Sequence, residues 1–242
     1  MCSVSWVRRR EALIVVMNRD ERHDRAPAGP PRRWRGAEGW FTAPVDGGAG
    51  GTWIAATDAG VVLALLNHQP ARQAATPAAP ISRGLLVSRL ASEGGVPDAA
   101  RVRAAGLGAF APFRLFVVSR SRPPRVFTWD GVTLTGRRLD PRVGFLTSSS
   151  WNPRAVIAVR HARFRAFRRV HPRPARADLV AFHGEAGDPR GTPWAIRMSR
   201  EDARTVSRTV VEVTAAGVSM RYRACAGRRG RLAPTISRPG GA

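Results

Sequence analysis

An α+β fold, with antiparallel sheets and helices packed outside them, is what the order of apolar runs along these 242 residues predicts. Two observations carry that expectation. Short apolar runs face one another across tight turns at Asp58-Ala59-Gly60, Asp130-Gly131 and Ala216-Gly217, as hairpins require. Helical spacing is confined to two stretches, 83–106 and 152–183, rather than alternating with strands as a βαβ chain would.

Taken in order, Ser3–Val7 and Ala12–Met17 flank the charged Arg8-Arg9-Arg10-Glu11 and open the chain as a hairpin. Residues 22–50 are rich in Pro, Gly and Arg, with Trp34 and Trp40 as large apolar anchors, and read as a long loop. Gly51–Thr57 and Val61–Asn67 form a second hairpin. The glycines before it lack dinucleotide or P-loop spacing and lead into a strand, so they read as a turn. Helices are predicted over Arg83–Ala91, with Ser82 as N-cap, and over Asp98–Gly106.

Strands follow at Arg114–Ser119, Val126–Trp129, Val132–Thr135 and Gly144–Ser148. Asn152 caps a long helix reaching Arg169, with Pro153 at its first position, and a shorter helix covers Asp178–His183. On the long helix Phe164 and Phe167 share a face, with Arg165, Arg168 and Arg169 largely turned to solvent. Val206–Thr214 and Val218–Tyr222 form the last hairpin. Residues 1–225 therefore read as one domain, and the Arg/Gly/Pro-rich 226–242 as a disordered tail.

Two cysteines, Cys2 and Cys225, are too few for a disulfide framework or a Cys-based zinc site. No segment approaches the ~20 apolar residues of a spanning helix, and a soluble, cytoplasmic protein is expected. The formal charge of +23 comes entirely from arginine; there is no lysine. With abundant Ala, Gly, Pro and Val, this looks like drift towards GC-rich codons, so salt-sensitive attraction to polyanions is expected but no specific nucleic-acid partner. His23, His68, His161, His171 and His183 show no metal-ligand spacing, and no metal site is assigned.

Chemistry concentrates at the start. Cys2 follows Met1, and a small second residue permits methionine to be trimmed. The thiol and a free α-amine would then share one residue. An amine of pKa roughly 7.7–8.0 can take the proton of a thiol near roughly 8.5, so nucleophile and base come together.

Several blocks now resemble one family: Met1-Cys2, Asn18-Arg19-Asp20-Glu21, Gly50-Gly51-Thr52-Trp53, Leu65-Leu66-Asn67 and Ala203-Arg204-Thr205. Together they are similar to the NRDE family, also known as the transport and Golgi organisation protein 2 family, over roughly residues 1–223. The resemblance implies an N-terminal-nucleophile hydrolase fold, a four-layer αββα sandwich of two antiparallel sheets. Bile-salt hydrolases and penicillin V acylases look like the nearest enzymes by layout; they cleave amides with an N-terminal Cys. Carried over residue by residue, Cys2 is the nucleophile, Arg19 and Asp20 its neighbours, and Asn67 an oxyanion donor. Ser148 stands where the family pattern has a second Asn, and Arg204, with Arg208 second, matches a further catalytic arginine.

The function expected is hydrolysis of a non-peptide C–N amide through an acyl-thioester, without a cofactor. The alternative comes from eukaryotic relatives linked to haem trafficking: a non-enzymatic carrier of haem or a similar anionic amphiphile, held in an Arg-lined cleft near Trp34, Trp40 and Trp53.

Overall fold

The computed structural model describes residues 2–69, 77 and 79–225, together with the backbone of 236–237. The tail expected to be disordered otherwise lies outside the described residues.

Strands β1 (Cys2–Arg8) and β2 (Ala12–Arg22) form the opening hairpin. A second hairpin, β3 (Gly29–Gly36) and β4 (Gly39–Val45), stands where the composition of 22–50 reads as a loop. Next come β5 (Ile54–Thr57), β6 (Val61–Asn67), α1 (Arg83–Ser92) and α2 (Ala99–Arg103). They are followed by β7 (Phe113–Ser119), β8 (Arg125–Trp129), β9 (Leu134–Arg138) and β10 (Val143–Thr147). The chain continues through α3 (Pro153–Val170), α4 (Arg176–Phe182), β11 (Ala203–Thr214), β12 (Gly217–Ala224) and β13 (Ile236–Ser237).

Most expected elements fall within a few residues of these bounds. Helix α2 ends earlier than expected, and the Asp130 turn is longer, its carboxylate accepting the N–H groups of Val132 and Thr133 before β9 begins. Asp98 caps α2 by accepting the Arg101 N–H, whereas the Ser82 and Asn152 side chains make no cap bond.

Every pairing between these strands is antiparallel. One sheet runs β10-β1-β2-β11-β12-β13 and the other β3-β4-β5-β6-β7-β8-β9. Period-2 alternation sends side chains to both faces of each sheet, and three apolar clusters fill the three resulting interfaces. Val4, Trp6, Leu13, Val15 and Met17 meet Ile54, Val62, Leu66 and Phe116 between the sheets. Leu63, Leu65 and Phe113 pack under Leu86, Leu90 and Val102 of α1 and α2. Ile14, Val16 and Phe145 pack under Phe164 and Phe182 of α3 and α4. The order is helix, sheet, sheet, helix, the four-layer α+β sandwich.

One close approach positions the site. A Cβ on Gly51 would lie 2.5 Å from the Gly84 carbonyl carbon, and Thr52 N–H donates to Gly84 O at 3.1 Å. Only glycine lets the start of α1 come this near the strand leading into β5. That contact carries Arg83 to the mouth of the inter-sheet space.

Candidate active site

Cys2 is the first residue of β1, which lies between the edge strand β10 and β2. It pairs with Arg19 across β2, so by the pleat both side chains take the inter-sheet face. There a half-open cleft of about 480 Å³ is lined by Cys2, Arg19, Asp20, Trp53, Asn67 and Arg83, among others. The same alternation divides the Asn18–Glu21 tetrapeptide between two faces. Asn18 and Asp20 turn toward α3 and α4; Arg19 turns toward Trp53.

Arg19 is buried and heavily engaged. Its guanidinium lies 4.3 Å over the Trp53 ring, pairs with Asp46 and reaches Glu21 at 3.2 Å. Asp46 also takes Arg25 at 2.7 Å and accepts the N–H groups of Gly48 and Ala49. Burial pushes the Asp46 carboxyl up, but the Arg25 hydrogen bonds, the Arg19 charge and the Ala49 N–H hold it below the usual range.

Asp20 is fully buried and meets the other layer. It accepts the Thr205 hydroxyl at 2.6 Å, and Arg160 of α3 approaches its second oxygen at 3.7 Å. Arg160 is itself buried and donates to Thr147 Oγ1 at 3.2 Å. Burial pushes the Asp20 carboxyl up, with Arg160 and Thr205 opposing it. Burial likewise pushes the Cys2 thiol up; the N-terminal positive charge, Arg19 and the Asp20 backbone N–H pull it down.

Ser148 does not line this cleft. It sits behind the nucleophile, where its Oγ accepts the Cys2 N–H at 3.1 Å and its backbone N–H donates to Cys2 O at 2.9 Å. The hydroxyl expected to face an oxyanion therefore touches the atom that becomes the α-amine once Met1 is gone. Arg204 pairs in register with Glu21 but lines a different cleft, as does Arg208. The buried cation beside Asp20 is Arg160, which the sequence reading took no account of. Trp34 and Trp40 do not line the Cys2 cleft either; they sit on the β3–β4 hairpin, Trp40 beneath Arg33 at 4.5 Å.

Two further residues complete the walls. Asn67, at the end of β6, stands at the cleft with Leu65. Arg83 donates to Pro112 O at 3.0 Å, and burial pushes its guanidinium down. Among the described residues it makes no salt bridge, so it is a cation without a matching acid in a cleft whose other arginines are paired. No helix among the described residues is long and apolar enough to cross a membrane.

Comparison with known proteins places this geometry. The structure is similar to penicillin V acylase from Agrobacterium tumefaciens, at TM-score 0.59 and 10% identity, covering 96% of this chain and 85% of that one. It is similar to a Caenorhabditis elegans N-acylethanolamine-hydrolyzing acid amidase ortholog, at TM-score 0.58 and 10% identity, over 87% and 92%. A Cys-to-Ala mutant of conjugated bile acid hydrolase from Clostridium perfringens matches at TM-score 0.57 and 8% identity, over 98% and 96%. These likenesses show the N-terminal-nucleophile hydrolase fold. Among curated proteins no sequence matches significantly. The family model described as Transport and Golgi organisation 2 matches residues 1–168, which take in Cys2, the Asn18–Glu21 tetrapeptide, Asn67 and Arg160. The chain belongs to the Transport and Golgi organisation 2 family.

Proposed function

We propose that the Cys2 cleft hydrolyses a small non-peptide C–N amide through an acyl-thioester, with no cofactor. The observation that carries this reading is the setting of Cys2. Its side chain shares a cleft with Arg19 and Asn67, while its nitrogen is held by Ser148 in front of the buried Asp20–Arg160 pair.

Burial keeps the resting thiol protonated, so a base is required. Removal of Met1 supplies one. The Cys2 amine takes the thiol proton as sulfur bonds to the amide carbon. Asp20 favours the resulting ammonium and Arg19 the thiolate. The Asn67 amide donates to the oxyanion. Collapse breaks the C–N bond, and the ammonium returns its proton to the departing amine. Water then attacks the thioester, the Cys2 amine takes its proton, and acid and thiol are released. Ser148 orients the amine in this scheme instead of serving as the second oxyanion donor. Arg83 favours substrates that carry an acidic group.

The haem-carrier reading is less well supported. Trp34 and Trp40 are away from the cleft, and Arg19 covers the Trp53 face a porphyrin would need.

The test pairs intact-mass analysis with a panel of N-acyl amides assayed on wild type and Cys2→Ala. Loss of Met1 and Cys2-dependent release of acid support the proposal. Retained Met1, or equal rates in both proteins, would sink it; a stoichiometric Soret band on adding haem would then favour the carrier.

A further inference from the structure

A second cleft, of about 450 Å³, opens on the α4 side of the β2–β11–β12 region and shares no lining residue with the first. Arg197, Arg204, Arg208 and Arg223 line it, and no Asp or Glu does. Among the described residues none of the four makes a salt bridge. Burial pushes the Arg208 guanidinium down against the pull of Cys225, and the charges of Arg223 and Arg197 add to the downward shift. Residues 226–242 add Arg228, Arg229, Arg231 and Arg238 but no Asp or Glu.

The cleft also contains buried polar groups with unused capacity. Asn18, fully buried, donates to His183 O at 2.8 Å and to Ile196 O at 3.2 Å, yet its Oδ1 has no partner among the described residues. His183, also fully buried, engages Ser5 through Nε2 at 2.9 Å and leaves Nδ1 without one. The Arg204 Nε is buried and has no partner among the described residues either. Buried polar atoms are nearly always satisfied, so such a group beside an arginine-lined cleft points to a ligand.

Four guanidiniums exceed what one carboxylate neutralises; a phosphoryl dianion suits their forked geometry better. The volume leaves room beside a phosphate, and the Asn18 acceptor calls for a donor such as a hydroxyl. We propose that this cleft binds a small, hydroxyl-bearing organic phosphate, its phosphoryl group held by the arginines and a hydroxyl by Asn18.

The test must separate a built site from the general field of a +23 protein. Ribose 5-phosphate is titrated calorimetrically into wild type and two charge-matched double variants. R197Q/R223Q removes two exposed arginines of the cleft. R142Q/R173Q removes two exposed arginines of a different groove floored by Val7 and Val143. The expected result is one saturable site, weakened about tenfold or more by R197Q/R223Q and less than about twofold by R142Q/R173Q. In a Cys2→Ala background the ligand also slows alkylation of Cys225, which lines the same cleft. Equal weakening by both double variants, no saturable binding, or unchanged Cys225 alkylation overturns the proposal. So does selective loss of duplex DNA binding in R197Q/R223Q without loss of ribose 5-phosphate, which would assign the surface to nucleic acid.

Discussion

The two clefts lie on opposite faces of one sheet, and β2 serves both, but their arginines live under different rules. In the Cys2 cleft Arg19 and Arg25 are tied to Asp46 and Glu21, while Arg83 makes no salt bridge among the described residues. In the second cleft Arg197, Arg204, Arg208 and Arg223 meet no carboxylate among the lining residues. The same residue type therefore builds a rigid wall in one place and an unbalanced positive field in the other. Charge counted along the sequence cannot distinguish the two; charge compensated in space can.

Experiments that break this contrast begin with the nucleophile. Cys2→Ala should remove amide hydrolysis by at least ~10³-fold while leaving ribose 5-phosphate binding unchanged, read by steady-state kinetics and calorimetry on the same sample. Next comes the pair that links the site to α3. Arg160→Met removes the buried cation that approaches Asp20 at 3.7 Å and should lower unfolding free energy by about 3 kcal/mol in denaturant melts. Asp20→Asn added to that variant should recover part of the loss, because less charge is then buried.

A smaller, pH-dependent effect belongs to the other face of β2. Burial, helped by Arg208, pushes His183 down to about 3 from its ordinary 6.5. The folded state thus binds fewer protons than the unfolded state between those values. Stability contributed by the neutral imidazole is complete above about pH 6.5 and is lost as pH falls, by up to ~1.4 kcal/mol per pH unit until about 3. Burial raises the Asp20 pKa and acts in the opposite sense, so the informative quantity is the difference between wild type and His183→Gln. Melts at pH 5 and pH 7 should show a shallower acid loss in the variant. The smallest effect sharpens the contrast: Arg83→Met should raise KM about tenfold for amides bearing a carboxylate and leave neutral amides nearly unchanged.

The central strands were legible because each alternates cleanly or faces its partner across a short turn. The β3–β4 hairpin was not. Strand β3 is a sheet edge with Pro30 and Pro31 and a register shift between Gly29 and Arg32, and most of its side chains are solvated. Edge strands tolerate proline and need no apolar run, so their composition reads as loop. Cys2, Arg19, Asp20 and Asn67 could be gathered from the resemblance, and the structure brings them to one cleft. Arg160 was hidden by its type, although Val156, Arg160 and Phe164 recur every four residues on the buried face of α3. Arg204 lines the second cleft; sequence order gives a residue its strand but not the cleft it lines. Here β11 also carries a bulge between Thr205 and Ser207.

The bond from Ser148 to the Cys2 nitrogen spans 146 residues of chain. At a synthesis rate of roughly 5–20 residues per second, the first residue is made on the order of ten seconds before the group that covers it. During that interval the opening hairpin can pair locally, but β10 does not yet exist to close over the Cys2 nitrogen. The hydrogen bond that fixes the Cys2 nitrogen therefore forms only after more than half of the chain has been made.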